Sequence, residues 1–330
     1  MTTVRGWRAE RFGSPRAVLE VQTLDAPEVP DEGVMIRVRA TGVGLPDLLM
    51  TQGGYPLVKT PPVSPGQEVV GDVVAAGPRS AFRPGDRVLA LTQYAEGWGG
   101  FSDHCLAYDY RVCRAPDVLS DEQAAGFFIP FRTAYGALVH RGGVGAGETL
   151  LVLGGSGSSG ATAIQVGKAL GAHVIAVAAG RQSADFCRAM GADDVIDRRE
   201  TPIDEAVRAL RGNGTVDAIF DPVGGAASDS AVSVLAPHGR IMVVGYASGS
   251  WHQPDGERTA LANHTIVGVF AGAMGPARDR ATFAALERMA NDGHVRTPIS
   301  RVWSFDEVPS AIAALREDPQ PGKMIVRAAG

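Results

Sequence analysis

Residues 150–165 read LLVLGGSGSSGATAIQ: a short apolar run, a glycine–serine stretch, and the opening of an apolar-faced segment. Alone, GGSGSSG (154–160) would pass for a flexible linker. Its flanks say otherwise. LLVLG has the β-branched and aliphatic content of a buried strand, and ATAIQVGKAL has helical spacing. Gly155-x-Gly157-x-x-Gly160 between a strand and a helix is the context in which such a loop cradles a pyrophosphate. The first glycine allows the tight turn, and the second lets the backbone approach the phosphates. The third lets helix pack closely on strand, while the helix N-terminus offers free N–H groups to the anion. Ser156, Ser158 and Ser159 are small enough to leave that approach open. The loop therefore predicts dinucleotide binding.

Beyond the loop, apolar runs and helical windows alternate. LLVLGG (150–155), HVIAVAA (173–179), DDVID (193–197), DAIFD (217–221), RIMVVGY (240–246) and TIVGVFAG (265–272) are strand candidates. ATAIQVGKALG (161–171), SADFCRAMGA (183–192), IDEAVRALRGN (203–213) and AASDSAVSVLAPHG (226–239) are the helical windows between them. This alternation predicts a doubly wound parallel sheet, a Rossmann-type α/β unit over 123–295. Before residue 122, GVMIRVRATGVG (33–44), EVVGDVVAAG (68–77), RPGDRVLAL (83–91) and GGFSDHCLAYD (99–109) read as strands of a small β-rich module. The tail from 296 looks like helix plus strand. We assign 1–122 with 296–330 to one domain.

Composition narrows the class. Of 330 residues, 45% are apolar and 20% charged, which is the balance of a globular protein with room for two cores. The net charge of −5 argues against a nucleic-acid footprint. No apolar run approaches a membrane span; AAGFFIPF (124–131) is too short. MTTVRGWRAERF (1–12) lacks the apolar core of a signal peptide. The three cysteines fit neither a disulfide framework nor a CxxC site, so a reduced cytoplasmic protein is expected.

The second strand bears on which dinucleotide is bound. An NAD site wants a carboxylate at its end, about 20 residues beyond the loop, to hold the ribose hydroxyls. Here HVIAVAA runs into Gly180, Arg181, Gln182 and Ser183. Arg181 and Ser183 suit a 2′-phosphate instead. Arg198 in VIDRRE (195–200) is either a third contact or a solvated charge. The expected cofactor is NADPH.

The order of β-rich module, glycine loop and returning tail resembles the medium-chain dehydrogenase/reductase superfamily across essentially the whole chain. GVGLPDLLMTQGGYP (42–56), PGQEVVGDVVAAG (65–77), GDRVLAL (85–91), DPVGG (221–225) and PGKMIVR (321–327) carry the resemblance. It implies a GroES-like catalytic domain beside the Rossmann domain. The zinc-dependent members have a cysteine where this chain has Gly44 and a histidine where it has Gln67. Neither replacement is a usual zinc donor, and the four-cysteine structural lobe is missing. The sequence thus resembles the zinc-free quinone oxidoreductase and enoyl reductase branch, and no metal is expected. Tyr55 and Lys59 have a YxxxK spacing, but Pro56 and Thr60-Pro61-Pro62 deny it a helix.

Without a metal, the chemistry that remains is hydride addition to an electron-poor carbon conjugated to a carbonyl. Negative charge then develops on the carbonyl oxygen and calls for a positioned donor. The resemblance points to Tyr55, in Gln52-Gly53-Gly54-Tyr55, as that donor. It also aligns Thr133 with a position facing the nicotinamide. Val223, Gly245, Tyr246 and Phe270 follow successive strands and should line the crevice at their carboxyl ends; Lys323 is grouped with them as a cofactor contact. Gly44, Tyr94, Phe128, Phe131 and Met274 are assigned to the substrate pocket. Asp47 reads as a structural carboxylate in the first turn of a short helix, and Glu68 as either structural or paired with a base near the site. The small-molecule acceptor, a quinone, enone or enoyl thioester, stays open. A nucleotide-binding protein with little catalysis, like the zeta-crystallin-type structural or RNA-binding relatives, is the alternative. TIVGVF (265–270) looks like an exposed edge strand, so a homodimer is expected.

Overall fold

The computed structural model describes residues 3–212 and 214–328. Two compact units emerge, Met1–Ile129 with Arg296–Gly330, and Pro130–Val295. The first boundary therefore falls at 129 rather than 122, within a helical stretch that sequence pattern alone leaves undivided.

The first unit begins with strand β1 (Thr3–Arg8), helix α1 (Pro15–Val18) and strand β2 (Glu20–Asp25); β1 and β2 form an antiparallel ribbon. Next come β3 (Gly33–Val43), α2 (Leu45–Gln52), β4 (Glu68–Ala76), β5 (Arg87–Leu91), β6 (His104–Tyr108), β7 (Val112–Arg114) and α3 (Asp121–Ala125). The four strands expected here are all present. Val34, Ile36, Val38, Val69, Val73, Val88 and Ala90 bury one cluster, as the period-2 alternation of half-buried strands requires. Helix α4 (Phe128–Tyr135) contains the boundary between the units.

The second unit contains β8 (Thr149–Val152), α5 (Ser158–Ala169), β9 (His173–Ala178), α6 (Arg181–Ala189), β10 (Asp194–Asp197), α7 (Ile203–Leu210), β11 (Val216–Asp221) and α8 (Gly225–Val232). It continues with β12 (Leu235–Val243), α9 (Gly256–Leu261), β13 (Thr265–Gly268) and α10 (Pro276–Asn291). Its strands lie in the order β10-β9-β8-β11-β12-β13, and all five pairings are parallel. This is the doubly wound topology expected from the alternation. Leu150, Leu151, Val152, Val174, Ile175, Ala218 and Ile219 have essentially no exposed surface. Helices on both faces of a parallel sheet account for these uninterrupted apolar runs.

Two readings of local structure change. Helix α8 stops at Val232, and Leu235–His238, expected to be its end, opens β12 instead. Pro237 has no N–H for a helix interior, and Leu235 pairs with Val216. Helix α10 went unpredicted, although Gly275-Pro276 is a strong start: Gly275 caps it at φ 83° and Pro276 opens it. Asn213, the end of the third helical window, lies outside the described residues.

The chain then returns to the first unit with β14 (Ile299–Trp303), α11 (Val308–Glu317) and β15 (Lys323–Arg327). Strand β15 pairs antiparallel with β3, Met324 opposite Val43. The sheet runs β14-β15-β3-β4-β5-β7, with β6 also on β3. Leu48, Met50, Phe101, Val308, Ile312, Met324 and Val326 make its second apolar cluster. Among the described residues, no helix is long and apolar enough to cross a membrane.

Candidate functional site

In the second unit, the glycine loop sits at the carboxyl end of β8. Gly155 donates its N–H to Val177 O at 2.8 Å, and a Cβ there would lie 3.0 Å from Ala176 Cβ and Cys187 Sγ. Gly160 is tighter: its Cβ would lie 2.2 Å from Gly154 O. Both glycines are demanded by the protein's own packing. Gly157 differs. It caps α5 in an extended conformation, and the nearest protein atom to an added Cβ is Gly154 O at 3.4 Å. Only a close-lying ligand would require glycine at 157, and the N–H groups of Ser158 and Ser159 open the helix beside it. A dinucleotide's phosphates fit this cradle.

The loops after β8 and β11 meet where strand order reverses, which is where doubly wound sheets bind ligands. A Cβ on Gly154 would lie 3.0 Å from Val223 Cγ2. Asp221, fully buried, accepts the N–H groups of Val223 and Gly224 at 2.9 and 2.8 Å and so shapes that turn. Gly245 donates to Asp221 O, and Tyr246 packs on Trp251 with ring centroids 4.4 Å apart. Thr133 is partly exposed on α4, and Met274 packs against Gly136. Phe270 is 58% exposed just beyond β13.

At the end of β9, Gly180 adopts φ 86° and caps α6. Arg181 leads that helix almost fully exposed, within 3.8 Å of Asp185. Ser183 is half-buried in the same first turn, and Arg198 is exposed beyond β10. The residue nearest this corner is one the sequence reading passed over. Arg199 lies over Gly180, its Nη1 2.9 Å from where a Cβ would stand. Asp197 holds the corner by accepting the N–H groups of Gly180 and Arg199 at 2.8 and 3.0 Å. Those bonds, the Gly180 one foremost, hold its carboxyl below the usual range. The RR pair in VIDRRE was the available signal, but spacing could not tell which arginine faces the strand end.

In the first unit, Gly44 follows β3 and caps α2. Asp47, 1% exposed, accepts the N–H groups of Gly44 and Gly66 at 2.8 Å each. Burial pushes its carboxyl up to about 6, opposed by those two bonds and by the Lys323 charge. Lys323 is 4% exposed, and its Nζ lies 2.5 Å from Glu68 Oε1, an ion pair off the line of a hydrogen bond. Glu68 Oε2 accepts the Ile129 N–H at 2.8 Å. The expected cofactor contact at Lys323 is thus corrected to a buried partnership, because its ammonium is committed to Glu68. Gly42 and Gly126 make the room: a Cβ on either would stand 2.8 Å from the Lys323 side chain.

Tyr55 lies on the irregular segment after α2, half-buried against the second apolar cluster. Its ring centroid is 6.2 Å from that of Tyr94, the planes inclined by 57°. Phe128 and Phe131 are 2% and 0% exposed, so these two expected pocket residues are corrected to core side chains. Apolarity at those positions expressed packing. Gly44 and Gln67, where the zinc-dependent relatives place donors, supply a bare backbone and an amide. Among the described residues, no group of three or more His, Cys, Asp and Glu is arranged to hold a metal ion. A groove of about 490 Å³ on the first unit, lined by Arg5, Trp303, Phe305 and Arg327, contains none of the residues singled out above.

Comparison with known proteins agrees with this geometry. Residues 30–145 match the alcohol dehydrogenase GroES-like domain, and residues 160–291 match the family described as zinc-binding dehydrogenase. The chain is 30% identical over 310 residues to quinone oxidoreductase of Pongo abelii, covering 93% of this chain and 92% of that one. Among solved structures, a probable oxidoreductase from Mycobacterium abscessus is similar, with a TM-score of 0.88 and 32% identity over 99% of both chains. The mycobacterial protein Rv1454c complexed with NADPH has a TM-score of 0.88 at 25% identity, covering 98% of this chain and 99% of that one.

Proposed function

The chain belongs to the medium-chain dehydrogenase/reductase superfamily, in its quinone oxidoreductase branch, and from that premise we propose that it is an NADPH-dependent, metal-free reductase of quinones or activated C=C bonds. One observation carries the reading. Tyr55, a half-buried phenol, stands in a unit whose zinc-donor positions hold Gly44 and Gln67. An alkoxide-forming alcohol oxidation would need a Lewis acid; the stabilisation of an enolate needs a hydrogen-bond donor. When bound, the reduced nicotinamide supplies the hydride. Tyr55 then donates its hydroxyl to the acceptor's carbonyl oxygen as charge gathers there. A proton goes to the α-carbon of an enone, or to oxygen for a quinone, and solvent restores any proton Tyr55 gives up. The balance is one hydride and one proton per acceptor.

NADPH oxidation, followed optically against a panel of quinones, enones and enoyl thioesters, tests the proposal. Turnover of at least one class is expected. NADPH binding without turnover of any acceptor would overturn it in favour of the nucleotide-binding alternative.

The preference for NADPH over NADH rests on Arg181, Ser183 and Arg199 around Gly180, with Asp197 already engaged by backbone. A charge-assisted hydrogen bond contributes roughly 1.5–3 kcal/mol, or one to two decades of affinity. Arg199→Ala with Arg181→Ala should therefore weaken NADPH by about that factor and leave NADH unchanged. Equal loss for both cofactors, measured by titration, would refute the assignment.

We further propose a homodimer through β13. This edge strand leaves Ile266 37% exposed, with Phe270 just beyond it; an apolar edge of that kind invites pairing. Light scattering at micromolar concentration should give twice the chain mass. A monomer would contradict it.

A further inference from the structure

We infer that the first unit carries a further binding site, for a small aromatic carboxylate, in the groove lined by Arg5, Val302, Trp303, Phe305 and Arg327. The inference is independent of the reductase reading, since none of these residues was assigned to the acceptor or to the cofactor.

The groove runs along β14, the outermost strand of its sheet, and its volume of about 490 Å³ is that of a small-ligand pocket. Its charge opposes that of the chain, which carries a net −5. Arg5 and Arg327 line it and Arg301 adjoins it, while Asp306, the acid among the described lining residues, is 84% exposed. The aromatic rings hold two of these cations by their faces. Arg5 stands 4.9 Å from the Phe305 ring centroid, and Arg301 stands 3.5 Å from that of Trp303. Stacking of this kind leaves the N–H edges of a guanidinium for an acceptor. Arg5 Nη2 is 4.0 Å from Asp306 Oδ1, too far for a hydrogen bond, so its donors are unengaged among the described residues. Arg327 gives Nε and Nη2 to Glu122 Oε1 at 2.9 and 2.7 Å, which fixes its plane and leaves Nη1. The rest of the lining suits a flat apolar body. Val302 is 39% exposed, a side chain against which a ring can lie. Trp303, 8% exposed, keeps its indole N–H buried without a hydrogen-bond partner. Buried donors are nearly always met, and between guanidinium groups the acceptor that meets this one is the oxygen of an anion. A carboxylate matches the guanidinium fork, and the apolar surface beside it asks for an aromatic ring.

The probe is 2-naphthoate, titrated into the full chain with and without NADPH and followed by proton–nitrogen correlation spectra. The chain has four tryptophans, so the indole resonance lost in Trp303→Phe identifies Trp303. That resonance should move downfield as 2-naphthoate binds, because its N–H gains an acceptor. The uncharged analogue 2-naphthamide should bind about tenfold more weakly, and Arg5→Gln should weaken 2-naphthoate by about the same factor, the equivalent of one exposed charge-assisted hydrogen bond. Arg5→Gln combined with Arg327→Gln should show no binding below about 10 mM. Both arginines are exposed, so the melting temperatures of these variants should stay near wild type. NADPH should leave every one of these affinities unchanged. A Trp303 resonance that does not move, equal affinity for the amide, or full affinity in the double variant would overturn the site. Displacement by NADPH would overturn it too, by placing the probe in the cofactor cradle. No arm of the experiment measures turnover, so failure here leaves the reductase reading intact, and failure of that reading leaves this site standing.

Discussion

Lys323→Met should lower the unfolding free energy by about 3–5 kcal/mol, the usual cost of stranding one member of a buried ion pair. Lys323 and Glu68 are 4% and 1% exposed, and they face each other at 2.5 Å. Removing the ammonium leaves a buried carboxylate that accepts the backbone N–H of Ile129 but has lost its countercharge. Methionine fills much the same volume, so the loss would report charge rather than a cavity. The double variant Lys323→Met with Glu68→Gln should recover most of the stability, because exchanging a whole buried pair for neutral groups is often nearly neutral. Urea denaturation of the three proteins decides the matter. A single-variant loss under about 1 kcal/mol would mean that solvent or another group already neutralises Glu68.

Gly160→Ala should damage fold and cofactor binding together, whereas Gly157→Ala should damage binding alone. The methyl at 160 would stand 2.2 Å from Gly154 O, a backbone atom that can yield only by displacing the loop. Overpacking of this kind costs about 1–3 kcal/mol, and the displaced loop should bind NADPH about 100-fold more weakly, an effect of about 2.8 kcal/mol. The methyl at 157 meets nothing in the protein closer than 3.4 Å, so the melting temperature without cofactor should hold. Its effect should appear as a lost rise of that temperature on adding NADPH. If Gly157→Ala kept the full cofactor-dependent rise, the second glycine would not lie against the phosphates.

Much of the architecture was legible because its signals are local. Runs such as LLVL (150–153) and AIF (218–220) are apolar throughout since a parallel sheet buries both faces, and the glycine spacing reports a turn within seven residues. What was not legible depends on residues far apart in the chain. Lys323 reaches Glu68 only because β15 lies beside β3, and the rings of Tyr55 and Tyr94 meet only in the folded chain. Phe128 and Phe131 failed for a different reason: apolar character is the same in a pocket wall and in a core. Arg199 was overlooked for its neighbour Arg198 because adjacent residues beyond a strand face different ways. Helix α10 is hard to read in spite of its Gly-Pro start, since the strand that follows it, β14, belongs to the first unit's sheet and does not continue the alternation.

The pairing of β15 with β3 also has a consequence for biosynthesis. As the chain leaves the ribosome, β3 emerges early, but one of its neighbours is translated only after the whole of the second unit. Strands β8 to β13 pair only among themselves and can close as soon as they are out. The first sheet must wait with the Met324 side of Val43 unpaired. In the interval an apolar strand edge is open to other nascent chains, so the interrupted unit is where chaperone dependence should concentrate.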